Sequence, residues 1–513
     1  MDSEKILILD FGGQYDQLIA RRVREQHVYA RVLSSRQAAV EAIRTEGYKG
    51  IIFTGGPGSV SDPASPRFDP EILRLGVPVL GICYGCQLMA WMEGGVVRSA
   101  EDKSEYGMAG LHIAGESPLL TGVEAESTVW MSHADYIAQP PAAFRVLGTT
   151  DRCPCAVMAD EGRRLYGVQF HPEVTHTQFG RTILRNFLFS VCGCAGDWTM
   201  DGFVAASVER WRSALAGKRV LCALSGGVDS AVTAALLHRA VGDDLVCIFV
   251  DHGFLREGEA DLVERTFRRE LGMNLIRVDA AERFLAALRG VEEPEHKRRI
   301  IGQEFIRVFE TEARRLGHIP VLAQGTIYPD VIESGGGDAA TIKSHHNVGG
   351  LPSVMDFEEL AEPLRDLFKD EVRAVGTELG IPREIVWRQP FPGPGLAIRV
   401  LGEVTAEKLA VLRRADAIFR QEIDSAGLSS APSQYFAVLT RSSTVGVMGD
   451  GRTYGCTIAL RAVTTDDFMT ADWTRLPWET LARASTRITG EVPSVSRVVY
   501  DVTSKPPATV EWE

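Results

Sequence analysis

A chain of 513 residues is longer than one hydrophobic core supports, and at ~100–200 residues per domain it predicts about three domains. Apolar residues make up 45% and charged residues 24%, no apolar run approaches the ~18 residues of a membrane helix, and "MDSEKILILDFGG" lacks the features of a signal peptide, so a soluble cytoplasmic protein without a membrane partner is expected. A net charge of −13 argues against a general nucleic-acid surface, so any anionic ligand must meet a local basic cluster. In chain order, "KILILDFG" reads as a buried strand, "YDQLIARRVREQ" as an amphipathic helix, and "GIIFTGGPG" as a strand entering a Gly-rich turn. "PVLGICYG" is a further strand, running into "CQLMAWMEG" as a helix. That alternation predicts an α/β domain with a parallel sheet.

The pattern breaks at "CGCAGDW" (192–198), and the helix "FVAASVERWRSAL" and strand "RVLCAL" open a second α/β unit. It continues through "LVCIFVD" to about Trp387, where "RQPFPGPGLAIRVLG" is too rich in Pro and Gly for regular structure. The expected division is therefore 1–197, 198–388 and 389–513. The last part closes with "SRVVYDVTSKPPATVEWE", which alternates like a strand on either side of Pro506–Pro507.

Nine cysteines are too sparse for a disulfide scaffold, and C-x-x-C at Cys83/Cys86 allows a redox pair, half a zinc site or a nucleophile. Cys153/Cys155 and Cys192/Cys194 lie far away in sequence without a His at finger spacing, which disfavours zinc. "GICYG" has the G-x-C-x-G form of a nucleophile elbow, with Cys83 at a strand-to-helix turn near a helix N-terminus. Cys86, one turn into the helix, reads as a small buried apolar residue. "YGVQFHPEV" supplies a base: on a strand, His171 and Glu173 share a face, so that Glu173 orients the imidazole. The N–H groups of "TGGPG" (54–58) can hold an oxyanion.

With G-x-C-x-G-x-Q, G-G-P and H-P-E in order, residues 1–197 resemble the class I (triad-type) glutamine amidotransferases. The resemblance implies glutamine hydrolysis through a thioester on Cys83. It further implies an oxyanion hole from the N–H groups of Gly56 and Tyr84, and substrate held by Gln87 and by Ser132, His133 and Asp135 of "SHAD". That family often has Met where Cys86 stands, which supports a packing role, and Gly where Ala134 stands.

"LSGGVDSA" (224–231) follows a strand and opens a helix, placing glycines, two hydroxyls and a helix N-terminus around an anion. The missing lysine excludes a Walker A loop. S-G-G-x-D-S resembles the PP-loop of ATP pyrophosphatases, which implies ATP contacts from Ser225, Gly226, Gly227, Val228, Asp229, Ser230 and Ala231. Asp229 beside phosphate requires a bridging Mg²⁺, with Asp330 as a second metal contact, and Asp251 ends a strand at the ligand edge of the sheet. Lys297, Arg298 and Arg299 are read equally as a solvated helix face or a phosphate cluster. Lys343, His345 and His346 fall in a polar loop, and adjacent histidines diverge in direction, which disfavours a metal site there.

The full order, with "QPFPGPGLAIR", "GVMGDGRTYG" and "KPPATVEWE", resembles the GMP synthases. That implies ATP- and glutamine-dependent amination of xanthosine 5′-phosphate (XMP). It also implies XMP contacts from Arg298, Asp450, Lys505 and Glu511, and a C-terminal α+β domain that forms a homodimer. Two rival readings remain at this stage: a PP-loop amidotransferase acting on a different adenylated acid, and a non-catalytic nucleotide or glutamine sensor.

Overall fold

A computed structural model describes residues 4–99, 104–333, 357–448, 451–465 and 470–513, and the chain divides into two compact units, up to Phe203 and from Val204. The first is built on a nine-stranded sheet ordered β2-β1-β3-β4-β11-β10-β9-β6-β7. β1 (Lys5–Asp10), β2 (Tyr29–Ser34), β3 (Gly50–Phe53), β4 (Val79–Ile82) and β11 (Leu165–Val168) run parallel. Ile6 to Leu9 of β1 are all fully buried, as a strand covered on both faces requires. β10 (Val157–Asp160), β9 (Arg145–Thr149), β6 (Glu105–Ile113) and β7 (Glu126–His133) extend the sheet antiparallel. β5 (Val96–Ser99) pairs separately with β8 (Asp135–Gln139). α1 (Asp16–Arg24) has an acidic first turn and a basic last turn, which complements its dipole, and α2 (Tyr84–Met92) follows β4 with no intervening loop beyond Cys83.

The second unit carries a parallel five-stranded sheet ordered β14-β13-β12-β15-β16. Its strands are β12 (Val220–Ala223), β13 (Leu245–Asp251), β14 (Asn274–Asp279), β15 (Val321–Ala323) and β16 (Glu359–Ala361). α3 (Val228–Val241) leaves β12 through the Gly-rich loop, and α4 (Pro294–Arg315) and α5 (Lys369–Glu378) follow. Beyond α6 (Ala406–Ser425), the long strands β17 (Gln434–Met448) and β18 (Gly451–Thr464) form an antiparallel pair. β19 (Asp472–Trp473) and β20 (Val495–Asp501) both pair with β18, and α7 (Trp478–Glu491) joins them.

Residues 204–388 and 389–513 share one core: Leu221, Ile248 and Phe254 pack in the same cluster as Leu396, Phe419 and Leu460. Strand periodicity sorts β17, with Tyr435, Ala437 and Leu439 facing that cluster and Phe436 and Val438 facing the other side with Ala459.

The chain after the Pro-Pro pair is not a strand, contrary to the alternation in its sequence. Lys505 makes an isolated antiparallel bridge to Ala471, and the following residues are held by side chains instead. Arg461, fully buried, donates to the carbonyls of Thr503, Thr509 and Val510 and pairs with Asp501. No helix among the described residues is long and apolar enough to cross a membrane.

Candidate active sites

Cys83 is the single residue between β4 and α2 and adopts φ 51°, ψ −110°, a left-handed conformation that a side chain tolerates only when the surrounding structure holds it. Its N–H donates to the Val168 carbonyl at 2.8 Å, and the Gly85 N–H donates to that of Thr54 at 3.0 Å, pinning the turn between β3 and β11. Glycine is required by close approach here: a Cβ on Gly81 would lie 2.8 Å from the Cys86 backbone, and one on Gly85 2.7 Å from the Phe53 carbonyl. Tyr84 is the first residue of α2, where a helix N–H has no intrahelical acceptor. Gly55 of the Gly-rich turn faces the same point, since a Cβ there would meet His171 Cε1 at 3.2 Å and Cys83 Cβ at 3.6 Å. Gly56 packs between Phe11 and the Tyr84 ring.

His171 Nδ1 lies 2.7 Å from Glu173 Oε1, with both side chains buried. The pairing arises differently from the sequence expectation, because β11 ends at Val168 and both residues stand in the turn beyond it. Pro172 between them has no N–H and cannot continue the ladder. Thr177 donates to the His171 carbonyl at 2.6 Å, Arg22 donates to that of Glu173 at 2.9 Å, and the Tyr15 ring packs edge-on against the imidazole. Burial pulls the His171 pKa down, but hydrogen bonds to Cys83 and Glu173 and their charges outweigh it and bring it to about 10. An imidazolium beside the sulfur is the partner a thiolate nucleophile needs.

Cys86 faces away from this chemistry. It is fully buried, its Sγ fills the space where a Cβ on Gly167 would sit, and burial raises its thiol pKa well above the ordinary range. Of the "SHAD" residues, the Ser132 carbonyl lies 3.6 Å from Cys83 Sγ. The Asp135 carbonyl accepts from Gln87 Nε2 at 2.6 Å, and its carboxylate accepts from Ser59. His133 points into the protein, 3.3 Å from Glu105 Oε2, where burial lowers its pKa. Thr150 donates to the same carboxylate at 2.8 Å. Glu105, His133 and Cys153 form the one cluster of metal-ligand type among the described residues. Sequence reasoning missed Glu105, Thr150 and Gln169. Gln169 is visible only as the residue two before His171 in "VQFHPE".

In the second unit Gly226, at φ +78°, turns the loop, and Gly227 caps α3. Ser230 Oγ accepts from the Ser225 N–H at 3.2 Å and Ser225 Oγ from that of Gly227 at 3.3 Å, so the two hydroxyls hold the loop in shape. Val228 and Ala231 are buried under it. Asp229 opens α3. Its Oδ2 pairs with Lys369 Nζ at 2.6 Å, while its Oδ1 is buried without a hydrogen-bond partner among the described residues, the kind of hard oxygen donor that a Mg²⁺ accompanying ATP takes. Asp330 Oδ2 accepts from the Ile327 N–H at 3.1 Å. Asp251 ends β13, but its carboxylate is held by Arg277 at 2.8 Å and by the Gly253 N–H at 3.2 Å. Arg388, unnoticed in the sequence, donates to the Gly226 carbonyl and pairs with Glu259.

The basic run on α4 splits. Lys297 is fully buried and donates to the Val400 carbonyl at 2.7 Å and to Glu513, so it anchors the last segment and is not a phosphate ligand. Arg298 donates to the Glu513 carbonyl and pairs with Glu295 at 3.2 Å. Glu511 is gripped by the buried Arg399 through both oxygens, at 2.9 and 2.7 Å, and by Gln434 at 2.8 Å. Lys505 is half-buried. A groove of about 730 Å³ opens beside Glu513, lined by Thr440, Arg441, Ser442, Arg497 and Trp512 among others. Asp450, Lys343, His345 and His346 lie outside the described residues.

Family models match this chain in three places: glutamine amidotransferase class-I over residues 7–191, tRNA methyl transferase HUP domain over 218–264, and GMP synthase C terminal domain over 421–512. Curated relatives named GMP synthase (glutamine-hydrolyzing) match over all 513 residues, covering the whole of both chains. The enzyme from Acetivibrio thermocellus is 59% identical and that from Ruminiclostridium cellulolyticum 58%. On that similarity, continuous through both units, the chain belongs to the glutamine-hydrolysing GMP synthase family.

Proposed function

We propose that the chain converts XMP, ATP, glutamine and water to GMP, AMP, pyrophosphate and glutamate, with residues 1–197 as glutaminase, 198–388 as ATP pyrophosphatase and 389–513 as the XMP-binding and dimerisation part. The observation that carries this reading is full-length similarity to enzymes of that name in a chain that also holds a Cys–His–Glu constellation and a PP-loop.

In the first site the Cys83 thiolate attacks the glutamine amide carbon, and the oxyanion is met by the N–H groups of Gly56 and Tyr84. His171, oriented by Glu173, gives its proton to the departing ammonia, and water then cleaves the thioester to glutamate. In the second, Ser225 to Ala231 cradle the β- and γ-phosphates of ATP, with Asp251 at the sheet edge. The purine C2 oxygen attacks the α-phosphorus, pyrophosphate leaves, and ammonia displaces AMP from C2 to give GMP. Asp229 with Asp330 would hold a Mg²⁺, which would supply charge neutralisation to the triphosphate.

Arg298 and Lys505 serve the XMP phosphate, with Asp450 and Glu511 serving the nucleoside. Glu511, fixed by Arg399 and Gln434, still has lone pairs for purine N–H groups. The homodimer is supported by apolar side chains exposed at the far end of the β17–β18 pair: Val445, Val447 and Tyr454. Mass spectrometry of products from XMP, ATP and glutamine tests the whole. Equimolar GMP, AMP and glutamate are expected, and pyrophosphate release without GMP would overturn the choice of acceptor.

A further inference from the structure

Two primary amides, Gln87 and Gln169, are buried beside Cys83, and the chemistry of their neighbours fixes which end of each donates. The Asp135 carbonyl only accepts, so the Gln87 atom 2.6 Å from it is Nε2. The second hydrogen of that nitrogen is directed to the Gln169 side chain at 3.2 Å, which requires Gln169 to present Oε1 there. Gln169 is thereby left with Nε2 facing Cys83 Sγ, at 3.8 Å. Both hydrogens of the Gln87 amide are spent inside the protein, leaving only its oxygen for a ligand.

The sulfur needs such a donor. The Ser132 carbonyl, 3.6 Å away, accepts the proton of a thiol but repels a thiolate. Of the other titratable groups around the sulfur among the described residues, only His171 carries charge of the favourable sign. Glu173 lies behind it, and Cys86 on α2, Cys153 on the β9–β10 turn and Glu105 with His133 on β6 and β7 supply neutral or negative groups. We propose that Gln169 is a catalytic residue of glutamine hydrolysis, donating from Nε2 to the Cys83 thiolate, and that Gln87 is the residue that turns it that way. This rests on Cys83 being the nucleophile.

The test is the pH dependence of Cys83 alkylation by iodoacetamide in the full-length protein, with Cys83→Ala as the blank, alongside glutamine kinetics. In Gln169→Leu the alkylation midpoint moves up by about one pH unit and kcat for glutamine falls about tenfold at neutral pH, from loss of one hydrogen bond to a charged group. KM for glutamine and ammonia-dependent GMP formation stay within about twofold. An unmoved midpoint, or a rise in KM at unchanged kcat, overturns the proposal. Should Gln169→Leu fail to fold, Gln87→Leu decides: releasing the Gln169 amide gives a smaller upward shift, and no shift overturns the proposal. Full glutamine-dependent activity in Cys83→Ala would instead sink the nucleophile assignment itself.

Discussion

The two sites differ in how their charged groups are matched before any substrate arrives. Around Cys83 three features converge on the sulfur: the imidazole, the Gln169 amide and the strained elbow. In the second unit the expected ligand contacts are engaged with other protein groups, Asp229 with Lys369, Asp251 with Arg277, Glu511 with Arg399 and Arg298 with Glu513. A site for a neutral amino-acid amide can be assembled in advance, because it need not hold an unbalanced charge. A site for two phosphorylated substrates has to keep its charges balanced in their absence, and these ion pairs do so.

The comparison breaks hardest at the nucleophile. Cys83→Ala is expected to lower glutamine-dependent GMP formation by at least about 10³-fold while ammonium-dependent formation persists, and Cys86→Ala leaves both within a few-fold. If Cys86→Ala were as damaging as Cys83→Ala, the elbow assignment would be wrong. Asp229→Asn should cost about 10–100-fold with either nitrogen source, because adenylation precedes both routes; steady-state rates with saturating ammonium check this. Retained ammonia-dependent activity removes Asp229 from the site.

Lys505→Ala sharpens the contrast within the second unit. KM for XMP should rise about tenfold and that for ATP less than about twofold. Equal rises would show that the last segment does not hold the purine nucleotide. The smallest effect concerns pH. The folded His171 pKa, about 10, lies above the ordinary 6.5, so its contribution to stability is fully present below pH 6.5 and is lost as pH rises toward 10. The thermal midpoint of the first unit should therefore fall over that range more steeply than in His171→Asn. Parallel curves for the two proteins would mean that His171 holds no extra proton in the folded state.

Much of the fold was legible because local pattern decides it. The buried β-type runs of β1, β4, β12 and β13, and the glycines around Cys83 and Gly226, announce strand, turn and helix within ten residues. The cysteine elbow and the PP-loop are such local objects. What sequence could not supply is pairing over distance. Lys297 looks like its neighbours Arg298 and Arg299 until Glu513, 216 residues on, takes it into the core. His171 and Glu173 were readable as a pair, yet their alignment comes from a proline-interrupted turn and not from strand period. Gln169 was overlooked because a lone glutamine carries no pattern, and its direction is set by Gln87, 82 residues away.

The three fully buried cations that hold residues 501–513 also set an order in time. Lys297 and Arg399 leave the ribosome 216 and 112 residues before the glutamates that neutralise them, and Arg461 leaves 49 residues before the Val510 carbonyl it needs. At about 5–20 residues per second the nascent second unit therefore waits roughly 10–40 s with a lysine that cannot enter its interior uncompensated. The chain of the first unit, Met1–Phe203, is synthesised before any of the second, so translation delivers the glutaminase half ahead of the machinery that consumes its ammonia.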